Sequence, residues 1–223
     1  MRDRLLAEKA YARLKEMIVA NRLSPGDRLV DRRLADSLRM SRTPVRAALS
    51  KLERDGLITA KPGLGYFVAD LDAKSAEDLY NLREILEVHA VRLAVERATD
   101  RDLDELAEVV ATADSYARKP DKRREEIRAA LRIHPIIARA GGNMFLHDTL
   151  VNLLNRMAPF IWMEMLYEDH EAAQLSRSEH ATLVALIRDK KVEEAERVIR
   201  HHARTAKEHI LRILKARETF YRD

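Results

Sequence analysis

Three histidines sit where a metal ion could be held. His134 shares a helical face with Ile127, Leu131, Ile137 and Ala138, His180 with Leu183, Val184 and Ile187, and His202 with Ala195, Val198, Ile199, Ala206 and Ile210. Neighbouring His201 points the other way, toward Arg197 and Arg204. His180 lies ten residues before Lys190 and His202 twelve after it. An antiparallel hairpin turning at Lys190 therefore lifts both to a similar height, roughly 15–18 Å from the turn at about 1.5 Å per residue. Buried imidazoles converging in this way suit a divalent transition metal, zinc or nickel. Taken singly, each reads as a satisfied core histidine, because His89, His147 and His209 also fall near apolar faces.

A second chemistry is carried by SRTPVRAALSKLERDGLI, Ser41 to Ile58. Val45, Ala48, Leu49 and Leu52 form one helical face, while Arg42, Arg46 and Ser50 lie on another. Arg42 and Arg46, four residues apart at the helix start, offer bidentate guanidinium contacts to guanine or phosphate. The Ser41 and Thr43 hydroxyls, together with a helix N-terminus, suit phosphate oxygens. Downstream, Lys61 adds charge beside Gly63 and Gly65, where the backbone can approach a groove or phosphate closely. The competing reading is structural: hydroxyls that cap a helix, and solvated arginines.

These residues need elements to hold them. The 223-residue chain is 46% apolar, has no cysteine for a disulfide or thiolate site, and has no apolar run long enough for a membrane span. A cytoplasmic protein is expected. Residues 1–70 carry 15 Lys and Arg against 9 Asp and Glu, whereas the rest carries 26 against 28 and all eight histidines. The basic excess thus belongs to the front alone, which points to a polyanionic partner there. In that front, a helix from Leu5 to Asn21 ends at the Pro25-Gly26 turn signal. Asp31 is the expected N-cap of a short second helix, Met40-Ser41 is a tight turn, and Pro44 suits the first turn of a third. Two short strands around Lys61-Pro62-Gly63 complete a winged helix-turn-helix, in which the helix after the turn enters the major groove. Beyond it, helical periodicity predicts helices at 75–98, 100–118, 121–140, 143–167, 176–189 and 192–219. The expected fold is mainly α: a winged helix-turn-helix domain over 1–70, a linker over 71–75, and an all-helical bundle over 76–223.

The stretch from Ile18 to Val68 resembles the DNA-binding domain of GntR-family transcription regulators, through L-x-PGD-x-L, SRTPVR-x-AL, L-x-x-DGL and G-YFV. The resemblance implies DNA contacts from Arg32, Ser41, Arg42, Arg46 and Gly63. Arg39 departs from the family, which usually has a glycine in that turn. The back resembles the FCD effector domain of the FadR-type branch, from DLYNLREILEVHAVRLAVERAT through IH at 133–134, GGN at 141–143, EH at 179–180 and HH at 201–202. That likeness implies a metal site of one Asp and three His, matching Ala130, His134, His180 and His202, so the carboxylate is missing here. It also places Arg83 facing an effector cavity, where it would clamp a carboxylate, with pairing to Glu87 on the surface as the alternative. Asn143 is a second candidate effector contact, with helix capping as its alternative.

The implied function is a ligand-responsive transcriptional regulator, a repressor that binds a short palindromic double-stranded operator as a homodimer and answers to a small carboxylate effector. A three-histidine metal hydrolase is the rival class, but it leaves the basic front idle, and no nucleophile–base pair accompanies the histidines. An architectural DNA-binding protein without an effector is the third reading.

Overall fold

The computed structural model describes residues 2–19, 22–69, 73–167 and 170–220. The chain divides into two compact units, residues 1–72 with 155–163, and residues 73–154 with 164–223.

In the first unit, α1 (Arg2–Val19), β1 (Arg28–Leu29), α2 (Asp31–Leu38), α3 (Arg42–Arg54), β2 (Ile58–Lys61) and β3 (Gly65–Val68) follow in chain order. Their apolar residues meet in one core that includes Ala10, Leu14, Ile18, Leu34, Val45, Leu49, Leu52 and Val68. Leu14, Leu49 and Leu52 are fully buried, each contributing about 1.5–3 kcal/mol of transfer free energy. The expected two-stranded wing is part of a three-stranded antiparallel sheet, ordered β1-β3-β2, with Arg28 opposite Phe67 and Lys61 opposite Gly65. The extra strand is two residues long, too short to show an alternating pattern. Between β2 and β3 the Leu64 amide donates to the Lys61 carbonyl at 3.0 Å, with Pro62 next and Gly63 at φ +72°. Proline followed by a positive-φ glycine is the signature of a type II turn.

One detail corrects the sequence reading of α2. The N-cap of α2 is Val30, with no side-chain capping bond, and Asp31 is the first helical residue. At the other end, Arg39 takes the left-handed conformation (φ 53°, ψ 46°), while the Met40 amide donates to the Ala35 carbonyl at 3.0 Å. A side chain in that conformation costs about 1 kcal/mol that glycine avoids. Arg39→Gly is therefore expected to raise the stability of the protein by about 0.5–1 kcal/mol. Denaturant titration checks this, and a loss of stability would mean that the arginine side chain holds the turn.

The rest of the chain is helical: α4 (Ala73–Arg97), α5 (Asp100–Ala117), a 3-10 turn (Pro120–Lys122), α6 (Arg123–Ala130), α7 (Ile133–Ala140), α8 (Met144–Tyr167), α9 (His170–Arg188) and α10 (Val192–Phe220), all in the second unit except residues 155–163 of α8. Of the linker expected over 71–75, residues 71 and 72 lie outside the described residues and 73–75 open α4. The single helix expected over 121–140 is two, parted at Leu131 and Arg132. Pro135 is the reason, since it has no N–H to give the Leu131 carbonyl and its ring crowds that position. The helix expected from 176 starts at His170, because Glu171, Ala172, Ala173 and Gln174 all favour helix. Thr99 starts α5 with a reciprocal capping box to Asp102. Along α4 and α10, Glu84 accepts from Arg200 at 3.0 Å and from Arg204 at 2.9 Å. The core gathers Val91, Leu106, Ile133, Leu183, Ile187 and Ile199. Among the described residues, no helix is long and apolar enough to cross a membrane.

Candidate nucleic-acid interface and metal centre

The start of α3 separates its two faces cleanly. Val45, Ala48, Leu49 and Leu52 are buried to within 1%, whereas Ser41, Arg42, Thr43 and Arg46 are all exposed. Ser41 is the N-cap by position, yet its side chain makes no capping bond. Its hydroxyl is therefore not consumed by the helix, which weighs against a purely structural role. Arg32 on α2, and Lys61 and Gly63 at the wing turn, are also exposed. Lys61 holds its ammonium 4.7 Å from the centre of the Phe67 ring. A Cβ added at Gly63 would meet nothing, so conformation rather than space requires glycine there. Sequence reasoning missed one partner. Asp31 accepts a hydrogen bond from Arg42 at 2.8 Å and lies 3.4 Å from the Arg46 Nε.

The second unit brings the three histidines together. His134 on α7, His180 on α9 and His202 on α10 are all buried. Their ring centres lie 5.2 Å (His134–His180), 5.4 Å (His134–His202) and 4.7 Å (His180–His202) apart. One nitrogen from each falls within 4.8 Å of the others, and a tetrahedral zinc would draw them in to about 3.4 Å. Lys190 takes φ 59° in the α9–α10 turn, and the equal heights counted from that turn explain why His180 and His202 meet. Burial holds the His134 imidazole below the ordinary histidine range. It holds His180 further below, with the nearby His202, His134 and Arg83 acting in the same direction. Both shifts favour the neutral ring, the state that ligates metal.

Carboxylates stand behind two of the rings. Glu179 accepts from His202 Nδ1 at 2.9 Å and from the exposed His201 at 2.6 Å. Glu87 Oε1 lies 3.0 Å from His134 Nδ1 and accepts from Arg83 Nε at 2.9 Å. Arg83 and Glu87 are each only 2% exposed, so the surface alternative for this pair does not apply. The Arg83 Nη2 also lies 3.3 Å from His134 Nε2. Burial pushes the Glu87 carboxyl up, but the Arg83 guanidinium and His134 outweigh it and hold the group well below the usual carboxylate range. Sequence reasoning paired Arg83 with Glu87 but did not give Glu87 or Glu179 a role at the histidines. Their only signals are Glu87 four residues after Arg83, and Glu179 beside His180.

The residues fit a metal ion. Three imidazoles converge, with a carboxylate bonded to His202 and another 3.0 Å from His134, the kind of arrangement that orients metal-ligating histidines. Among the described residues, His180 Nε2 is buried with no hydrogen-bond partner, a cost that an ion or a polar ligand atom would remove. Ala130, where the family carboxylate is absent, lines a cavity of about 10 Å³ with Ile133, Arg177 and His180. That is room for one water-sized group. Asn143 stands apart in its bonding: its side chain accepts from the Leu146 amide at 3.1 Å and caps α8.

Comparison with known proteins agrees with this division. Residues 6–68 match the description "Bacterial regulatory proteins, gntR family", and residues 78–205 match the FCD domain. The chain is 30% identical over 203 residues to the Nta operon transcriptional regulator of Aminobacter aminovorans, covering 91% of this chain and 93% of that one. It is 32% identical over 177 residues to the HTH-type transcriptional regulator McbR of Escherichia coli, covering 78% of each. The solved structure of E. coli McbR/YncC superposes with a TM-score of 0.79 at 26% identity, over 96% of this chain and 98% of that one.

Proposed function

From the premise that the chain belongs to the GntR family of bacterial regulatory proteins, in its FadR-type branch with an FCD domain, we propose how this transcription regulator works. It binds a short palindromic operator as a cytoplasmic homodimer, and a small carboxylate effector in the helical unit controls its affinity for DNA. The observation that carries this reading is the buried convergence of His134, His180 and His202, backed by Glu87 and Glu179, in a chain whose other unit exposes Ser41, Arg42, Thr43 and Arg46.

On DNA, the start of α3 lies in the major groove. Arg42 and Arg46 reach base edges, and Ser41, Thr43 and Arg32 hold phosphates. Lys61 and Gly63 bring the wing to the backbone. In the helical unit, His134, His180 and His202 would hold zinc or nickel, which supplies a Lewis-acidic position for a carboxylate oxygen. Glu179 keeps the His202 proton on Nδ1. Arg83 holds the far side of the effector carboxylate, and Asn143 is the second contact we assign to it. Release of DNA by the effector implies repression in its absence.

Operator titrations test the DNA half. Arg42→Ala and Arg46→Ala should each weaken specific binding by about 1–3 kcal/mol with unchanged melting. Wild-type affinity in both variants would remove α3 from the interface. A two-fold operator also requires two recognition helices in one particle. Light scattering at micromolar concentration should therefore give twice the chain mass, and a monomer both free and on DNA would contradict the homodimer.

A further inference from the structure

Among the described residues, Asp31 is the carboxylate that points at Arg42 and Arg46 of the recognition helix. Its Oδ2 accepts from Arg42 Nη2 at 2.8 Å and from Arg42 Nε at 3.3 Å, and lies 3.4 Å from Arg46 Nε. Both arginine side chains remain more than half exposed, at 58% and 70%, while that of Asp31 is 21% exposed. Asp31 is not the N-cap of α2, which is Val30, and a carboxylate whose only task was to start α2 would not need to reach another helix.

We propose that Asp31 is a specificity-determining residue of the DNA interface, which orients Arg42 and Arg46 toward base edges and opposes binding that rests on phosphate contacts alone. The proposal rests on the assignment of Arg42 and Arg46 to DNA. A guanidinium carries five N–H donors in a planar fork. Arg42 spends its Nε edge on Asp31, which leaves donors at the outer end of the fork. Arg46 approaches Asp31 through Nε, and its side chain is 70% exposed, which leaves room for its terminal nitrogens to reach a base. Guanine O6 and N7 accept such a pair end-on, and the carboxylate need not let go. A phosphate pulling either arginine aside must compete with Asp31 and bring its own negative charge near another. Two arginines and one aspartate also present one net positive charge instead of two, which reduces the counterion release that drives sequence-independent binding. The penalty therefore falls on wrong DNA more than on right DNA, which is how specificity is gained by repulsion. The hydrogen bond from Arg42 holds the Asp31 carboxyl below its ordinary range, against a smaller opposing effect of burial, so the charge is present at neutral pH.

The test uses the full chain, a duplex selected by the wild-type protein from a randomised pool, and a random-sequence duplex of equal length. Affinities are read by fluorescence anisotropy between 50 and 200 mM salt, beside a melting curve for each variant. Asp31→Asn should bind the random duplex about three- to tenfold tighter, with a salt slope steeper by about one, and should bind the selected duplex no tighter than the wild type does. The ratio of the two affinities then falls at least about threefold, while Asp31→Glu, which keeps the charge, retains most of it. An unchanged ratio in Asp31→Asn, with Arg42→Ala and Arg46→Ala still weakened on the selected duplex, overturns this inference alone. Wild-type binding by both arginine variants overturns the inference together with the DNA assignment beneath it.

Discussion

Replacing Arg83 with methionine is expected to cost about 3–5 kcal/mol of folding stability, the penalty for leaving a buried charge without its partner. Arg83 and Glu87 are both 2% exposed and 2.9 Å apart, so Glu87 has no water to turn to. The double variant Arg83→Met/Glu87→Leu should recover most of the loss, because an apolar pair of similar size avoids the desolvation cost altogether. Denaturant titration of the two variants decides this. A loss under about 1 kcal/mol for Arg83→Met would show that Glu87 does not depend on Arg83 for its charge. The pair also makes a prediction about acid. The Glu87 carboxyl lies below its ordinary range in the folded protein, so its stabilisation is complete above the unfolded value of about 4.3 and is lost as pH falls toward the folded one. In Arg83→Met the unpaired carboxyl is pushed up instead, and mild acid should become less harmful to that variant than to the wild type.

Restoring a carboxylate at Ala130 should act in the opposite direction on metal binding. Ala130 is 6% exposed and borders the same small cavity as His180, so Ala130→Asp places a charge beside the histidines at a buried position. Without metal that charge is costly, by about 1–3 kcal/mol for an unsatisfied buried group, and the apo variant should melt below wild type. With zinc the cost becomes a gain, and affinity should rise about 10- to 100-fold, the scale on which ligand-sphere changes act. The measurement is the rise in melting temperature on adding zinc, compared between the two proteins. An equal rise in both would show that residue 130 does not face the ion.

Much of this arrangement was legible in the sequence, and the failures have physical causes. The inward face of α3 could be read from spacing alone, and Val45, Ala48, Leu49 and Leu52 are indeed buried. Counting from the Lys190 turn anticipated the meeting of His180 and His202, because helix rise is constant. The break between α6 and α7 was signalled by Pro135, but the apolar periodicity continues through it and masks the interruption. β1 left no pattern, since two residues define no alternation. The burial of Arg83 was not readable, because an arginine four residues before a glutamate looks the same on a surface as in a core. The Asp31 contact to α3 and the Glu179 contact to His202 join residues on different helices, and local spacing says nothing about such pairs.

That the buried histidines form the control site is tested most directly by elemental analysis of metal content. Wild-type protein and His180→Ala are purified without chelator, incubated with zinc and desalted. About one ion per chain should remain in the wild type and close to none in the variant, since a site of two histidines loses a direct ligand. Equal metal in both proteins, or none in the wild type after zinc is added, would contradict it and leave His134, His180 and His202 as core histidines.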